Sequence, residues 1–365
     1  MILAGAGAGR DDRWALWASP PRVPPPPARR YDCRAVHLAF LGCGFITGVH
    51  SRILRSLRGE VACSYASRDG AKAEVFRRRY RGRASYPSYA AAIDDPAVDA
   101  VVVAVPPRWH LELTLRALEA GKHVLVEKPA FPRLADFEAA AEARDRAGRV
   151  VIVGENDHYK PLAICLRRLL AEGVIGEMVF GHFTTIAHRL KTADDWRNDE
   201  AMAGGDAFFE EGIHWLHVAG SLGPRITRIH GYRPAPSREG PDRRAKSLLV
   251  AFEYDNAAVG ALYYSREIPS LLRGLRLSKL FGRRGVITFE SNGLVVLVRG
   301  AGWPRIILPG FRDIRGYRAM YRDFLRAIAG GVQPEMSLER AIDDQRLMDQ
   351  VYASLAPPAR PTGPA

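Results

Sequence analysis

The sequence predicts an α/β protein, with a doubly wound parallel sheet in its N-terminal part and a C-terminal α+β domain built on a mainly antiparallel open sheet. Three observations carry this expectation. From Ala35 to about Gly154, short apolar runs alternate with amphipathic stretches, the rhythm of repeated βα units. One of those runs, Ala100 to Val105, is apolar throughout, as in a strand buried on both faces. Beyond Gly154, strand-like segments follow one another with little helix between most of them, which implies antiparallel pairing.

Taken in order, Val36 to Leu41 is a strand, Ile46 to Leu57 a helix and Val61 to Ala66 a strand, together one βαβ unit. Helices follow at Ala71 to Tyr80 and Tyr89 to Ile93, then the strand Ala100 to Val105 and a helix from His110 to Ala120. The strand Val124 to Glu127, a helix from Leu134 to Ala147 and the strand Val150 to Val153 complete the rhythm. A helix then spans Leu162 to Ala171, ahead of strands at Met178 to Ile186, Ser247 to Tyr254, Ala257 to Ser265, Gly285 to Glu290 and Leu294 to Val298. Helices from Tyr317 to Ala329 and Leu338 to Leu355 close the chain, and the polar span Ser237 to Lys246 reads as a loop. The expected domains are therefore 31–154 and 155–356, flanked by a disordered leader over 1–30 with a run of four prolines and a proline-rich tail over 357–365.

Composition narrows the possible settings. With 365 residues, 47% of them hydrophobic and 25% charged, the chain has enough material for two buried cores. No apolar run approaches the roughly 18 residues of a membrane helix. The four cysteines, Cys33, Cys43, Cys63 and Cys165, form no CxxC pair, and no Asn is followed two places later by Ser or Thr. A soluble cytoplasmic protein without a membrane partner is the expectation. The net charge of +13 favours anionic partners, but outside short clusters such as Arg77-Arg78-Arg79 the basic residues are dispersed among acidic ones. With no zinc-finger spacing and no aromatic-basic RNA motif, nucleic acid is not an expected partner.

The first strand runs into Gly42-Cys43-Gly44-Phe45-Ile46-Thr47. Glycines at Gly42 and Gly44 permit a tight turn, after which backbone N–H groups at Phe45 and Ile46 open a helix whose positive end suits a pyrophosphate. Thr47 occupies the place of the third glycine. At the end of the second strand, where an acid would bind an adenosine ribose 2′-hydroxyl, the chain reads Ala66-Ser67-Arg68-Asp69. The hydroxyl of Ser67 and the guanidinium of Arg68 suit a 2′-phosphate instead, so NADP is the expected cofactor, with NAD the alternative.

A longer set of motifs is more specific: Tyr86-Pro87-Ser88-Tyr89, Asp95-Pro96-Ala97-Val98-Asp99-Ala100, Pro106-Pro107-Arg108-Trp109-His110, Ala120-Gly121-Lys122-His123-Val124 and Glu127-Lys128-Pro129. This combination closely resembles the Gfo/Idh/MocA family of oxidoreductases, over nearly the whole chain from about Val36 to Leu355. The resemblance implies a Rossmann domain followed by an open-faced α/β domain that supplies much of the substrate site. It implies that Lys128 lies beside nicotinamide and substrate, with Pro106, His110, Glu127 and Pro129 along the cofactor. A lysine at the end of a parallel strand can donate a hydrogen bond to a substrate oxygen and stabilise developing charge.

The segment Gly204-Gly205-Asp206-Ala207-Phe208-Phe209-Glu210-Glu211-Gly212-Ile213-His214 is similar to the family's Gly-Gly stretch and acid-x-Gly-x-His motif, which makes His214 the expected proton carrier. Glu210 lies four residues earlier on the same helical face, where it is expected to orient the imidazole, although the family usually has aspartate there. His217 stands where the family has a later aspartate. Asn156, His158 and Tyr159 follow the last strand of the first domain, and Trp196-Arg197 precede the Gly-Gly stretch. Asn156, Tyr159, Trp196, Arg197 and His217 are carried as substrate-side candidates. Glu210, His214 and His217 share one face, but no partner Glu-x-x-His accompanies them and no metal is expected. The implied substrate is a small polyhydroxylated molecule, a sugar, sugar derivative or cyclitol, and a homo-oligomer is possible. Two alternatives remain at this point: a dinucleotide-binding regulator without catalysis, and a hydrolase or lyase that uses the dinucleotide transiently.

Overall fold

The structure is a computed structural model that describes residues 35–188, 195–234, 246–269, 276–300 and 302–355. The expected leader and tail, and nearly all of the expected loop between 237 and 246, lie outside the described residues.

Strands β1 (Val36–Leu41), β2 (Val61–Ala66), β3 (Ser85–Tyr86), β4 (Ala100–Val103), β5 (His123–Glu127) and β6 (Val151–Gly154) form one sheet in the order β3-β2-β1-β4-β5-β6. Every pairing in it is parallel. The order reverses between β1 and β4, the switch point at which dinucleotides bind such sheets. The intervening helices are α1 (Phe45–Leu54), α2 (Gly70–Tyr80), α3 (Tyr89–Asp94), α4 (His110–Glu119) and α5 (Leu134–Ala147). β1, β4 and β5 are buried almost end to end, which explains why they read as continuous apolar runs. β3 escapes the sequence pattern because two residues carry no periodicity.

After α6 (Pro161–Ala171) and β7 (Met178–Ile186) come the short helix α7 (Glu200–Ala203) and the longer α8 (Ala207–Gly220). The remaining strands are β8 (Ile226–Tyr232), β9 (Ser247–Tyr254), β10 (Val259–Ser265), β11 (Leu277–Gly282), β12 (Gly285–Glu290), β13 (Val296–Arg299) and β14 (Arg305–Ile307). They pair in the order β14-β13-β12-β11-β7-β10-β9-β8. The sheet is antiparallel except where β7 and β10 run parallel. That exception places the chain between the two, which includes α8, as a crossover against the sheet.

β8, β11 and β14 add to the strands expected from sequence. β8 alternates poorly, reading Ile-Thr-Arg-Ile-His-Gly-Tyr at the sheet edge, and β14 is only three residues long. α9 (Tyr317–Gly330) and α10 (Leu338–Leu355) end the described chain. Although α9 follows the second sheet in sequence, its apolar face, with Met320, Tyr321 and Phe324 fully buried, packs into the core of the first sheet. α10 joins both cores, placing Ala341 in the first and Met348 and Val351 in the second. No helix among the described residues is long and apolar enough to cross a membrane.

Candidate active site

The carboxyl ends of β1, β4, β5 and β6 collect the candidate residues along one sheet edge. Gly42 ends β1 with φ +113°, and a Cβ there would meet the carbonyl oxygen of Ala104 at 2.4 Å, so only glycine serves. Thr47, at the third-glycine place, is fully buried and donates its hydroxyl to the carbonyl of Gly42 at 2.7 Å, locking the turn from within. Gly44 caps α1 in extended conformation and has nothing within 4 Å of where a Cβ would be. Phe45, the first helical residue, is 77% exposed. An uncovered helix N-terminus beside a bare glycine fits a dinucleotide pyrophosphate in shape and charge.

At the end of β2, Ser67 is buried and its hydroxyl accepts from the Asp69 N–H at 3.2 Å. Asp69 spends its carboxylate capping α2, on the N–H groups of Ala71 and Lys72 at 3.0 and 3.3 Å. The nearest acid is thereby held in a cap, and Arg68 is left exposed at the strand end.

Lys128 follows β5 and is half-buried, and its Nζ donates to the backbone carbonyl of Glu210, at the start of α8, at 2.9 Å. The lysine therefore spans the two domains. Two neighbours expected on the cofactor are corrected. The His110 ring is 1% exposed, with Nε2 facing the carbonyl of Val105 at 2.8 Å and Nδ1 facing those of Ala130 and Pro129 at 2.9 and 3.1 Å. It ties the loops after β4 and β5 together instead of facing a ligand. Burial pulls its pKa down, against the raising effect of those carbonyls. Glu127 is also turned inward, with Oε1 3.0 Å from His50 Nε2 but out of line for a good hydrogen bond. Pro106 and Pro129 remain beside Lys128 as the ends of those two loops, half-buried and buried respectively.

His214 receives its carboxylate from a residue the sequence reading did not single out. Its Nδ1 lies 2.6 Å from Oε1 of Glu155, the first residue after β6, and 3.9 Å from Asp157. An Nδ1–H donated to a carboxylate leaves Nε2 as the basic nitrogen. Glu155 and Asp157 are both buried, and burial alone would raise their pKa values. His214 beside Glu155, and Lys160 at 2.7 Å from Asp157 with His214 behind it, outweigh that burial and hold both carboxyls below their ordinary range. One Glu155 oxygen, Oε2, is buried with no hydrogen-bond partner.

Glu210 does not support His214. Its carboxylate faces Arg197 Nε at 2.8 Å and Arg266 at 3.4 Å, where two guanidinium groups outcompete a single imidazole. Arg197 is also held by Asp195 and lies over the Trp196 ring at 4.6 Å, so the Trp196-Arg197 pair forms one ordered unit with Glu210.

Three substrate-side candidates prove to be interior groups. His217 is 1% exposed, sandwiched between Asp344 at 2.7 Å and His158 at 2.9 Å. Its pKa is raised: burial alone would lower it, but Asp344 more than compensates. Tyr159 is buried and donates to Asp323 at 2.6 Å while accepting from the Met336 N–H at 3.0 Å. Asn156 donates to the Arg315 carbonyl at 2.7 Å. These contacts clasp the 3-10 turn 156–159 between α8, α9 and the segment that leads into α10. Since His214 and His217 lie one turn apart on α8, and Glu155 and His158 one turn apart opposite, the two pairs form parallel rungs between the domains. Glu210, His214 and His217 consequently diverge to separate partners and do not form a ligand trio. The donor atoms that do come together, within 4.8 Å of one another, belong to Glu155, Asp157 and His214. A pointer to Glu155 existed in the sequence: an acid directly after the last parallel strand sits at the ligand-binding edge.

Comparison with known proteins accords with this geometry. Residues 36–155 match the oxidoreductase family with an NAD-binding Rossmann fold, and residues 164–288 match the GFO/IDH/MocA C-terminal domain. The chain belongs to the Gfo/Idh/MocA oxidoreductase family. Among its relatives, an uncharacterized oxidoreductase, ORF334, of Rhizobium meliloti is 31% identical, over 82% of this chain and 90% of its own. A D-xylose 1-dehydrogenase (NADP(+)) of Haloferax volcanii is 25% identical, over 80% of this chain and 89% of its own. A levoglucosan dehydrogenase solved with NADH and levoglucosan has the same fold, with a TM-score of 0.79, 20% identity and coverage of 88% of this chain and 97% of its own.

Proposed function

We propose that this protein is an NADP-preferring dehydrogenase or reductase that transfers a hydride between the nicotinamide cofactor and a hydroxyl or ketone of a sugar, sugar derivative or cyclitol. The observation that carries the reading is the convergence on α8 of Lys128, from the end of β5, and Glu155, from the end of β6, with His214 paired to Glu155. The D-xylose 1-dehydrogenase among the relatives supports the substrate class; on the cofactor the relatives divide, that enzyme naming NADP and the levoglucosan dehydrogenase being solved with NADH, so the NADP preference rests on Ser67 and Arg68.

The residues fit the cofactor: Gly42 to Ile46 would hold its pyrophosphate and Ser67 with Arg68 its 2′-phosphate, while Pro106, Lys128 and Pro129 border the nicotinamide side. When bound, the nicotinamide supplies or accepts the hydride. Lys128, with one N–H given to the Glu210 carbonyl, keeps two donors for the reacting substrate oxygen and stabilises charge that develops there. His214 takes a proton at Nε2 from the substrate hydroxyl in oxidation, or returns it in reduction. Glu155 holds the ring and stabilises the imidazolium that forms. The Trp196-Arg197-Glu210 unit borders the start of α8 and is assigned to shaping the substrate side.

The second sheet also leaves an apolar row uncovered. Phe180 on β7, 54% exposed, stands between Val259 on β10 and Phe281 on β11, and the exposed pair Leu297 and Ile306 lies in the neighbouring row, in register with Thr288, Lys279 and His182. This face is assigned to self-association.

The deciding experiment is a titration of the native protein and Arg68→Ala with NADPH and NADH, followed by nicotinamide fluorescence. NADPH is expected to bind more tightly, and Arg68→Ala to weaken NADPH by about tenfold or more while leaving NADH unchanged. Equal native affinities would remove the NADP preference alone. No binding of either would overturn the oxidoreductase reading.

A further inference from the structure

A cavity of about 870 Å³, lined by neither Lys128 nor His214, lies between α6, α9 and the loop that joins β14 to α9. Its size is that of a small-molecule site. Along α9, Arg318, Arg322 and Arg326 line it at intervals of four, one above the next on a single helical face. Like charges so spaced repel and destabilise a helix, so a stripe of three costs stability unless something neutralises it.

The protein's own acids do not complete that neutralisation. Asp323 and Glu335 both go to Arg326. Asp313 is occupied at the start of α9, accepting from the backbone N–H groups of Arg318 and Ala319 at 3.1 and 2.8 Å. Arg168, on the opposite wall, has Glu172 at 3.7 Å. The guanidinium groups of Arg312, Arg318 and Arg322 have no acidic partner among the described residues, and Nε of Arg318 is buried without any hydrogen-bond partner. Ile164 on α6, 48% exposed, and Leu308 on the loop after β14, 61% exposed, add apolar surface to the same lining. An arginine-rich convex surface would simply be solvated, whereas these cations line one concavity together with apolar side chains.

We propose that this cavity is a second ligand site, which takes a small organic phosphate: the phosphate on Arg312, Arg318 and Arg322, the apolar body against Ile164 and Leu308. It shares no residue with the site assigned to the dinucleotide. Phosphate suits the guanidinium fork, and an apolar lining serves no purpose for an inorganic ion.

The test is calorimetric titration with phenyl phosphate and with inorganic phosphate, on the native protein, Arg318→Ala/Arg322→Ala and Arg68→Ala. Phenyl phosphate is expected to bind more tightly than inorganic phosphate, to weaken at least tenfold in the double variant and to be unchanged in Arg68→Ala. If the double variant does not fold, Arg312→Ala/Arg322→Ala removes two exposed side chains and serves in its place. The proposal is overturned if the native protein fails to bind phenyl phosphate, if the arginine variants bind it as the native protein does, or if Arg68→Ala alone abolishes binding.

Discussion

On an isolated helix Glu210 and His214 would be natural partners, four residues apart, but in the folded chain each has been taken by something stronger. Arg197 and Arg266 draw Glu210 away, and Glu155 reaches His214 from a strand end 59 residues earlier. Replacing Glu155 with Gln keeps the shape and removes the charge that, in the proposed mechanism, stabilises an imidazolium at His214. Turnover is expected to fall by about 10² to 10⁴, whereas Glu210→Gln should change kcat much less. Steady-state kinetics of both variants with an identified substrate decide this, and equal losses would return Glu210 to the catalytic set. Contiguous motifs single out Lys128 and His214 in the sequence, whereas Glu155 has only its place after the last parallel strand to point to it, because a partner fixed by tertiary contact leaves no local spacing to read.

At the level of elements, the turn between β1 and α1 is expected to separate folding from binding at two glycines, one on each side of Cys43. Gly42→Ala puts a Cβ against the Ala104 carbonyl at positive φ, so it should destabilise the protein by roughly 1 to 3 kcal/mol or more. Gly44→Ala meets no protein atom, so its unfolding temperature should stay near native while NADPH affinity falls. Thermal unfolding paired with fluorescence titration distinguishes the two, and a Gly44→Ala variant that binds NADPH normally would remove the pyrophosphate assignment. The helices and the buried strands of the first sheet followed their periodicity closely. β3, β8 and β14 did not show in the sequence because they are short or polar edge strands whose identity comes from the neighbour they pair with.

Across the whole molecule, stability should depend on pH through buried histidines. Burial lowers the pKa of His37, His110, His123 and His158, to about 4 for His123 and about 2 for His158. Below the ordinary value of about 6.5, the unfolded chain binds protons that the folded protein refuses, so stability falls as pH drops. His217, raised by Asp344 against burial, acts oppositely, adding stability at low pH that is lost as pH rises through its folded value. With His182, lowered in the same way, five lowered histidines against one raised predict an unfolding temperature lower at pH 5 than at pH 7. A flat or inverted profile by calorimetry would show that these rings are protonated in place. The apolar row on the second sheet makes a separate prediction: sedimentation should find an oligomer that Phe180→Glu shifts towards monomer, and a monomeric native protein would remove that assignment.

The sequence by itself determined the two-part α/β plan, the glycine turn and the motifs that carry Lys128 and His214, since periodicity, turn chemistry and contiguous motifs are local properties of the chain. Tertiary structure alone decided which carboxylate serves His214, that His110, Tyr159 and His217 are interior ties, and that α9 belongs to the first core. Those outcomes depend on competition among side chains distant in sequence, where geometry and charge at the point of contact select one partner from several that the spacing permits.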